Sequence, residues 1–432
     1  MKLLPSFLSF FFLILPFQFA LSPVEGVDLS SIRLIAILLF FWWLTTSLFQ
    51  RTIWLPEILP FFLITGFLSI AGASLLWAEN PLFGLRKAAF LFSFYPLFFV
   101  LCAIFHKEPS YVLRILRAFV LGAAGAASVG LVFFFSQFVF GVERIFTFLT
   151  QTTLPFFLGE TFAQSVAAYP SLLVDLSGVT VLRASGIFPD PHMFAFYLGM
   201  AAPWALVFFL RASSHGRFVQ GSIFSVILLA DLLSFSRGGY VGLVFGFSFF
   251  LFGSGILKRF SRKQFVAVIV LGVLLISGVF MSPIGERFLS SFSQADGSNR
   301  ERLRLFGEAW EHLTEHPFFG VGLGNYPLLV VPTATYRDPI YVHNLFLDIA
   351  VEVGLLGLFF FVGLFLFVFY QVLVSWKKEP SHWFSLGLLS SLFVFLGHAF
   401  FETPLFSVHV LPVLLLLLSV GVSYRYEFSQ TQ

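Results

Sequence analysis

The sequence predicts an all-α polytopic membrane protein with about twelve transmembrane helices. Of its 432 residues, 58% are hydrophobic and only 11% are charged, whereas a soluble globular chain has about 25% charged residues. The apolar stretches are long and continuous, which favours helices over the alternating strands of a β-barrel. A helix also satisfies its own backbone hydrogen bonds, as lipid requires. Residues 1–432 are therefore predicted to form a single integral membrane domain.

Apolar stretches of about twenty residues define the predicted spans. They cover residues 5–22, 31–49, 58–78, 88–105, 113–141, 193–210, 218–235, 240–257, 264–282, 345–374, 383–400 and 407–424. The first stretch lacks a small-x-small cleavage site after it, so we predict an uncleaved span instead of a signal peptide. The fifth and tenth stretches are long enough to tilt or to extend beyond the bilayer.

The positions of Lys and Arg predict that both termini are cytoplasmic. The cation-rich loops and termini carry Lys2, Arg51, Lys107, Arg114, Arg117, Arg211, Arg217, Lys258, Arg259, Arg262, Lys263, Lys377, Lys378 and Arg425. The opposite short loops carry Glu25, Asp28, Glu79 and Glu402, with few cations beyond Arg33, Arg86, Lys87 and Arg237. Two long connections, 142–192 and 283–344, therefore face outward, and the second is predicted to be a large helical loop between the ninth and tenth helices.

Arg302 is the strongest candidate ligand-binding residue that periodicity indicates. The pattern Ser298-x-x-Glu301 is typical of a capping box and predicts a helix that starts near Asn299. On this helix Arg302 shares a face with Phe306, Ala309 and Leu313, while Arg300, Arg304, Glu308, Glu311 and Glu315 lie on the opposite face. A cation on an apolar face requires a carboxylate or a bound anion. Because this loop offers no carboxylate on that face, an anionic ligand is favoured over a structural salt bridge.

Three further basic residues are predicted on the outward side. Arg237 ends the seventh span and precedes two glycines, which allow a ligand or another backbone to approach closely; its alternative role is to snorkel to the interface. Arg183 lies before the turn Pro189-Asp-Pro191, where a structural or solvated role is equally open. His343 lies where the long loop meets the tenth span, and histidine can accept and return a proton near neutral pH.

The sequence offers no indication of a metal or a cofactor. The nine histidines and the single cysteine, Cys102, show no ligand spacing with a third donor. Gly320-Val-Gly-Leu-Gly324 follows a helix instead of a strand, on the outward side, which excludes a dinucleotide-binding loop. No nucleotide-binding loop, soluble cytoplasmic domain or nucleic-acid-binding pattern is present, so chemistry is expected outside the cytoplasm and without ATP. Asp231 and Glu352 lie within spans and are minor candidates, with helix–helix pairing as their alternative.

Several motifs in residues 180–360 resemble the O-antigen ligase and polymerase family. They are Arg183-Ala-Ser-Gly-Ile-Phe188, Ser236-Arg-Gly-Gly-Tyr240, Arg302-Leu-Arg-Leu-Phe306, Glu315-His-Pro-Phe-Phe-Gly-Val-Gly-Leu-Gly-Asn-Tyr326, Val342-His-Asn-Leu-Phe-Leu347 and Glu352-Val-Gly-Leu-Leu-Gly357. The first 140 residues are similar only in hydropathy. Phe306 stands where the family usually has Trp, and either ring fills an apolar face.

The resemblance implies a glycosyltransferase of the bacterial inner membrane with a GT-C-like fold. The donor would be a glycan linked to undecaprenyl diphosphate, presented on the periplasmic face. Arg237 and Arg302 match the family's diphosphate-binding arginines, Arg183 matches its upstream basic position, and His343 matches its essential loop histidine. These assignments imply metal-independent, inverting transfer, in which guanidinium groups bind the leaving diphosphate.

Three functions remain open from the sequence. A ligase would transfer the glycan to lipid A-core, which suits the long loop before the tenth span. A polymerase would use a second lipid-linked glycan as the acceptor with the same donor chemistry. A transporter of lipid-linked sugars would require functional charges along a path at mid-membrane, where Asp231 is nearly alone. The ligase is therefore favoured over the polymerase, and both over the transporter.

Overall fold

The computed structural model of the protein describes residues 3–24, 27–168, 171–176, 178–255, 297–336, 338, 340–376 and 382–424. The predicted span at 264–282 lies outside the described residues.

The described chain is mostly helical. Its helices are α1 (Leu4–Ile14), α2 (Ser31–Phe49), α3 (Ile58–Ala73), α4 (Pro81–Phe94), α5 (Pro96–Lys107), α6 (Tyr111–Phe140), α7 (Val142–Phe148), α8 (Leu154–Leu158), α9 (Glu160–Ala168), α10 (Pro191–Arg211), α11 (Ser214–Leu232), α12 (Arg237–Gly253), α13 (Gly297–Glu315), α14 (Tyr326–Val330), α15 (Leu345–Trp376), α16 (Trp383–Ala399) and α17 (Val410–Val422).

Six helical segments are long and apolar enough to cross a membrane. They are Ser31–Phe49, Ile58–Leu76, Pro81–Lys107, Tyr111–Phe140, Pro191–Arg211 and Leu345–Trp376. Four shorter apolar segments are Leu4–Phe17, Arg237–Gly253, Trp383–Ala399 and Val410–Val422. The chain is thus a multi-pass, mainly helical membrane protein, although these segments do not establish the predicted count of twelve spans.

The first apolar segment is shorter than predicted. Helix α1 passes into a 3-10 turn at Leu15–Phe17, and strand β1 (Ala20–Val24) begins soon afterwards. Pro16 lies in this turn, and a proline ring disfavours continuation of an α-helix. Strand β1 pairs antiparallel with β2 (Val27–Ser30), and a second hairpin joins β3 (Leu173–Leu176) to β4 (Val179–Leu182). These two hairpins add a little strand to the predicted all-α fold.

Helix α10 lies at the centre of the bundle and packs against α6, α11, α12 and α16. Tyr197 and Trp204 on α10 are fully buried. Helices α12 and α16 approach closely through glycine: a Cβ atom on Gly242 would lie 2.6 Å from the Val394 carbonyl oxygen, and one on Gly246 would lie 2.7 Å from that of Ser390. Small residues permit such contact between membrane helices. This contact sets the start of α12 beside the end of α16.

The two long connections contain secondary structure of their own. In the first, α7, α8, α9 and the β3–β4 hairpin surround a small apolar cluster that includes Leu149, Leu154 and Leu182. In the second, α13 packs against α15, with Leu305, Ala309 and Val351 in their shared core. The described part of the second connection contains the helices α13 and α14.

Candidate active site

Glu402 joins two of the residues that the sequence singled out. It lies in the loop between α16 and α17 and is only 2% exposed. Its Oε1 atom accepts a hydrogen bond from Arg302 Nη2 at 2.7 Å, and its Oε2 atom lies 3.0 Å from His343 Nδ1. One buried carboxylate therefore holds a guanidinium from α13 and an imidazole from the loop before α15.

The surrounding basic side chains keep Glu402 ionised. Burial alone would raise the pKa of its carboxyl group, but His192, His343 and Arg302 together hold that pKa well below its ordinary value. A carboxylate accepts hydrogen bonds and cannot donate them. A neutral His343 that bonds to Glu402 therefore carries its proton on Nδ1 and leaves Nε2 as the basic nitrogen.

A second set of polar side chains also lies near Glu402. His192 Nδ1 is 2.9 Å from Ser236 Oγ and 3.7 Å from Glu402 Oε1. Ser236 Oγ also lies 3.3 Å from Nε2 of His398, whose ring stacks on Phe196 at a centroid distance of 3.6 Å. The helices α10, α12, α13, α15 and α16 thus bring one connected polar cluster together.

Helix capping places two of these groups. Asp190 caps α10 by accepting hydrogen bonds from the backbone N–H groups of His192 and Met193 at 2.8 and 2.9 Å. Ser236 caps α12 by accepting from the Gly239 N–H at 3.2 Å. Burial raises the pKa of Asp190 to about 6, against the lowering effect of these backbone hydrogen bonds.

The glycines after Arg237 accommodate another helix. A Cβ atom on Gly238 would lie 2.5 Å from Cδ2 of His398 and 2.9 Å from Cβ of Phe401. The close neighbour of Gly238 is therefore the end of α16. This contact brings Glu402 to the cluster.

His343 has an unusual backbone conformation. Its φ angle is +55°, in the left-handed region that non-glycine residues rarely adopt. The next residue, Asn344, caps α15 by accepting from the N–H groups of Phe346 and Leu347, each at 3.1 Å. Tyr341 packs its ring 4.6 Å from that of His343. Such conformations persist where the surroundings hold them, and they concentrate at functional sites.

Arg183 and Arg237 are both buried, at 4% and 7% exposure. The Nε atom of Arg183 donates to the Ser234 carbonyl at 2.7 Å, and Nη1 donates to the Ser171 carbonyl at 2.9 Å. The first of these bonds ties the segment after β4 to the turn that leads into α12, whose first residue is Arg237. Arg183 is therefore linked through the chain at 234–237 to the cluster around Glu402.

The predicted helix of Arg302 is observed, and Arg302 forms a salt bridge, the alternative that the sequence ranked below a bound anion. Helix α13 starts at Gly297, Ala309 and Leu313 are buried, and Arg304 is exposed. The side chain of Ser298, in the predicted capping box, lies outside the described residues. The partner carboxylate comes from Glu402, 100 residues along the chain. The periodicity of one loop carries no information about distant loops, so it could not indicate Glu402, His192 or Ser236.

The glycine-rich segment Gly320–Gly324 supports α15. Helix α15 is interrupted at Gly354, where φ is +80°. The N–H groups of Val321 and Gly322 donate to the carbonyls of Val351 and Glu352 at 2.9 and 3.0 Å. The Glu352 side chain pairs with Lys87 Nζ at 2.7 Å, as the helix-pairing alternative predicted. The segment is therefore a docking loop for the interrupted helix.

A cavity of about 810 Å³ lies beside the cluster. His343, Asp190 and Tyr341 line it, and so do Arg33 and Lys87 from α2 and α4. Across the residues that the structure describes, no group of three or more His, Cys, Asp or Glu side chains is arranged to hold a metal ion. The arrangement provides an imidazole that a carboxylate positions, several guanidinium groups and space for a large polar ligand.

Comparison with known proteins supports the resemblance seen in the motifs. Residues 221–362 match the family model described as O-antigen ligase. This match includes Arg237, Arg302 and His343 and begins after Arg183. No curated protein matches the chain. Residues 221–362 are therefore similar to the O-antigen ligase family, which confirms the resemblance to the O-antigen ligase and polymerase family.

Proposed function

We propose that this protein is an O-antigen ligase that transfers a glycan from undecaprenyl diphosphate to a hydroxyl group of lipid A-core. The proposal includes a GT-C-like membrane fold, cytoplasmic termini and a site that faces the periplasm from the inner membrane. The observation that carries it is the contact of Glu402 with both His343 and Arg302 beside the large cavity. The family match supports ligase- or polymerase-type glycosyl transfer in general.

In the proposed step, an acceptor hydroxyl oxygen attacks the anomeric carbon of the donor. The carbon–oxygen bond to the phosphate breaks, and undecaprenyl diphosphate leaves with the bonding electrons. The hydroxyl proton passes to His343 Nε2, and Glu402 stabilises the resulting imidazolium through Nδ1. A single displacement of this kind inverts the anomeric configuration.

The arginines differ in how they could stabilise the leaving diphosphate. Arg302 already donates a hydrogen bond from Nη2 to Glu402, so its other N–H groups would bind phosphate. Arg183 donates hydrogen bonds from two of its nitrogens to backbone carbonyls, which favours a positioning role for this residue. Arg237, at the start of α12, would bind phosphate directly. Guanidinium groups bind phosphate strongly in a water-poor site, and no metal is needed for this role.

Deletion of the gene followed by gel analysis of lipopolysaccharide tests this function. A ligase predicts core without any O-chain, together with polymerised glycan that accumulates on the lipid carrier. Core that bears a single repeat would instead assign a polymerase, which joins two lipid-linked glycans. An unchanged O-chain ladder would refute both functions. Complementation with the intact gene controls for effects on neighbouring genes.

A further inference from the structure

Arg33 and Lys87 are two outward cations that the proposed mechanism does not use. Arg33 lies in the first turn of α2, and Lys87 lies in α4. Both line the same cavity as His343, whereas Arg183, Arg237 and Arg302 are absent from its lining. His343 therefore lies between the Glu402 cluster and a cavity that has cations of its own.

The two cations differ in their partners. Lys87 Nζ lies 2.7 and 2.9 Å from the two carboxylate oxygens of Glu352, so its charge is neutralised within the protein. Arg33 donates from Nε to Ser93 Oγ at 3.1 Å and from Nη2 to the Ala89 carbonyl at 3.3 Å. Both partners of Arg33 are neutral. Among the described residues, no carboxylate forms an ion pair with its guanidinium group.

Four aspartates also line the cavity, and backbone N–H groups engage each of them. Asp28 accepts from Phe162 at 3.1 Å, Asp190 from His192 and Met193 at 2.8 and 2.9 Å, Asp338 from Thr335 at 2.7 Å, and Asp348 from Val342 at 3.5 Å. These contacts occupy at least one oxygen of each carboxylate. Arg33 is therefore the cation in the described lining whose charge remains available to a bound anion.

We propose that Arg33 is a phosphate-binding subsite for a phosphorylated saccharide in this cavity. A guanidinium fork matches two phosphate oxygens, and Phe90 supports the group at 5.3 Å from its ring centroid. Tyr336, Tyr341 and Phe406 contribute aromatic rings to the lining of the same space. The proposal rests on the proposed function, because His343 would then act on the saccharide that Arg33 anchors. The phosphate belongs either to the donor diphosphate or to the acceptor glycan.

The test compares Arg33→Gln and Arg33→Lys with the matched control Arg144→Gln in nanodiscs. Arg144 is an exposed arginine of α7 that does not line the cavity. Transfer is measured while the donor is varied, and then while native or dephosphorylated core acceptor is varied. We expect Arg33→Gln to raise one KM at least ten-fold and to change kcat less than three-fold. Arg33→Lys keeps the charge but loses the fork, so its effect should be intermediate, and the control should match the unmodified protein.

The KM that rises identifies the source of the phosphate. A rise for the native acceptor that disappears with the dephosphorylated acceptor assigns the acceptor phosphate, and a rise for the donor alone assigns the diphosphate. Unchanged KM values, or equal rises for both acceptor forms, would overturn the subsite and leave Arg33 as an interfacial anchor.

Direct binding separates this inference from the proposed function. Fluorescent short-chain polyprenyl diphosphate and fluorescent phosphorylated core saccharide are titrated into the purified protein without transfer. Weaker binding of either probe to Arg33→Gln supports the subsite even if no glycan is transferred. Equal binding of both probes to Arg33→Gln and to the unmodified protein contradicts it. Thermal unfolding of each variant excludes misfolding as the cause.

Discussion

At the scale of single residues, Arg302 and Arg304 differ in the burial of the carboxylates with which they pair. Both lie on α13, two positions apart. Arg302 pairs with Glu402, whose side chain is only 3% exposed, whereas Arg304 pairs on the surface with Glu301 and Glu308, each at 2.5 Å. Loss of one partner of a buried pair leaves an uncompensated charge, whereas exposed pairs contribute little.

We predict that Arg302→Ala destabilises the protein far more than Arg304→Ala. Removal of the Arg302 guanidinium leaves Glu402 with less compensation, at a cost of about 3 kcal/mol. Removal of the Arg304 side chain should cost less than about 1 kcal/mol. Thermal unfolding of both variants in the same detergent measures this difference. Equal losses for the two variants would contradict the buried contact.

A second residue-scale prediction concerns pH and Asp190. Because burial raises the pKa of this carboxyl to about 6, the folded state binds more protons than the unfolded state between about pH 4 and 6. Its contribution to stability therefore falls as pH rises through this window. Asp190→Asn keeps an oxygen that accepts the two backbone hydrogen bonds but carries no charge, so this loss should disappear.

Unfolding temperatures between about pH 4 and pH 7 measure the effect of Asp190. Asp190→Ala is the control, because it also removes the charge but loses the cap of α10, so it should be about 1 kcal/mol less stable than Asp190→Asn at every pH. A pH profile for Asp190→Asn that matches that of the unmodified protein would contradict the assignment.

At the scale of elements, the interruption of α15 explains why a glycine-rich loop packs against the middle of this helix. Gly354 breaks the helix, and backbone N–H groups just after the break bond to the segment that precedes the loop. Leu355 N–H donates to the Pro317 carbonyl at 2.8 Å, and Leu356 N–H donates to the Phe318 carbonyl at 3.3 Å. The packed loop thereby fixes the position of the N-terminal half of α15. This half begins two residues after His343.

We predict opposite effects of alanine at two glycines. A Cβ atom on Gly354 would lie 2.1 Å from the Phe318 carbonyl oxygen, at a φ of +80°, so Gly354→Ala should destabilise the protein by at least about 2 kcal/mol. A Cβ atom on Gly307 of α13 would enter open space, so Gly307→Ala should stabilise α13 by about 0.5–1 kcal/mol. Thermal unfolding measures both, and a neutral Gly354→Ala would refute the docking of the loop.

At the scale of the whole molecule, the cluster joins residues that are far apart in the sequence. Arg183, His192, Ser236, Arg302, His343 and Glu402 all fall in connections or helix ends that the Lys and Arg distribution places on the outward side. The contacts among these residues are consistent with a location on one side of the membrane, because residues on opposite sides of a bilayer could not form them. The absolute orientation remains a prediction.

Cysteine labelling tests this orientation. Glu311 is exposed on α13 and His215 is exposed at the start of α11, while the native Cys102 is buried. We predict that a membrane-impermeant maleimide labels Glu311→Cys in intact spheroplasts. His215→Cys should react only after the membrane is permeabilised, and the unmodified protein should give the background signal. The reverse pattern would invert the topology and place the site in the cytoplasm.

Much of the fold could be predicted from the sequence because membrane helices are encoded locally. Apolar length located the helices at 31–49 and 345–376 to within a few residues, and periodicity identified the buried face of α13. The hairpins were missed because short strands within loops lack a clear apolar alternation. The break at Gly354 was missed because one glycine in a long apolar run does not distinguish a kink from a continuous helix.

The candidate site was predicted only in part, since its contacts are long-range. Arg302 and His343 were found because a cation on an apolar face and an imidazole in an outward loop are unusual. Glu402 looked like an ordinary loop acid, and nothing in its neighbourhood indicates a partner 100 positions away. The position of Arg33 in the cavity wall likewise depends on α4 and on Tyr336 and Tyr341, which are distant in the sequence.

The most direct test of the proposed mechanism is the rate of glycan transfer by purified His343→Ala, with donor binding measured on the same sample. If His343 accepts the proton of the attacking hydroxyl, kcat should fall by about 100-fold or more while the donor dissociation constant stays unchanged. Full transfer activity in a variant that inserts normally and binds donor would contradict the mechanism.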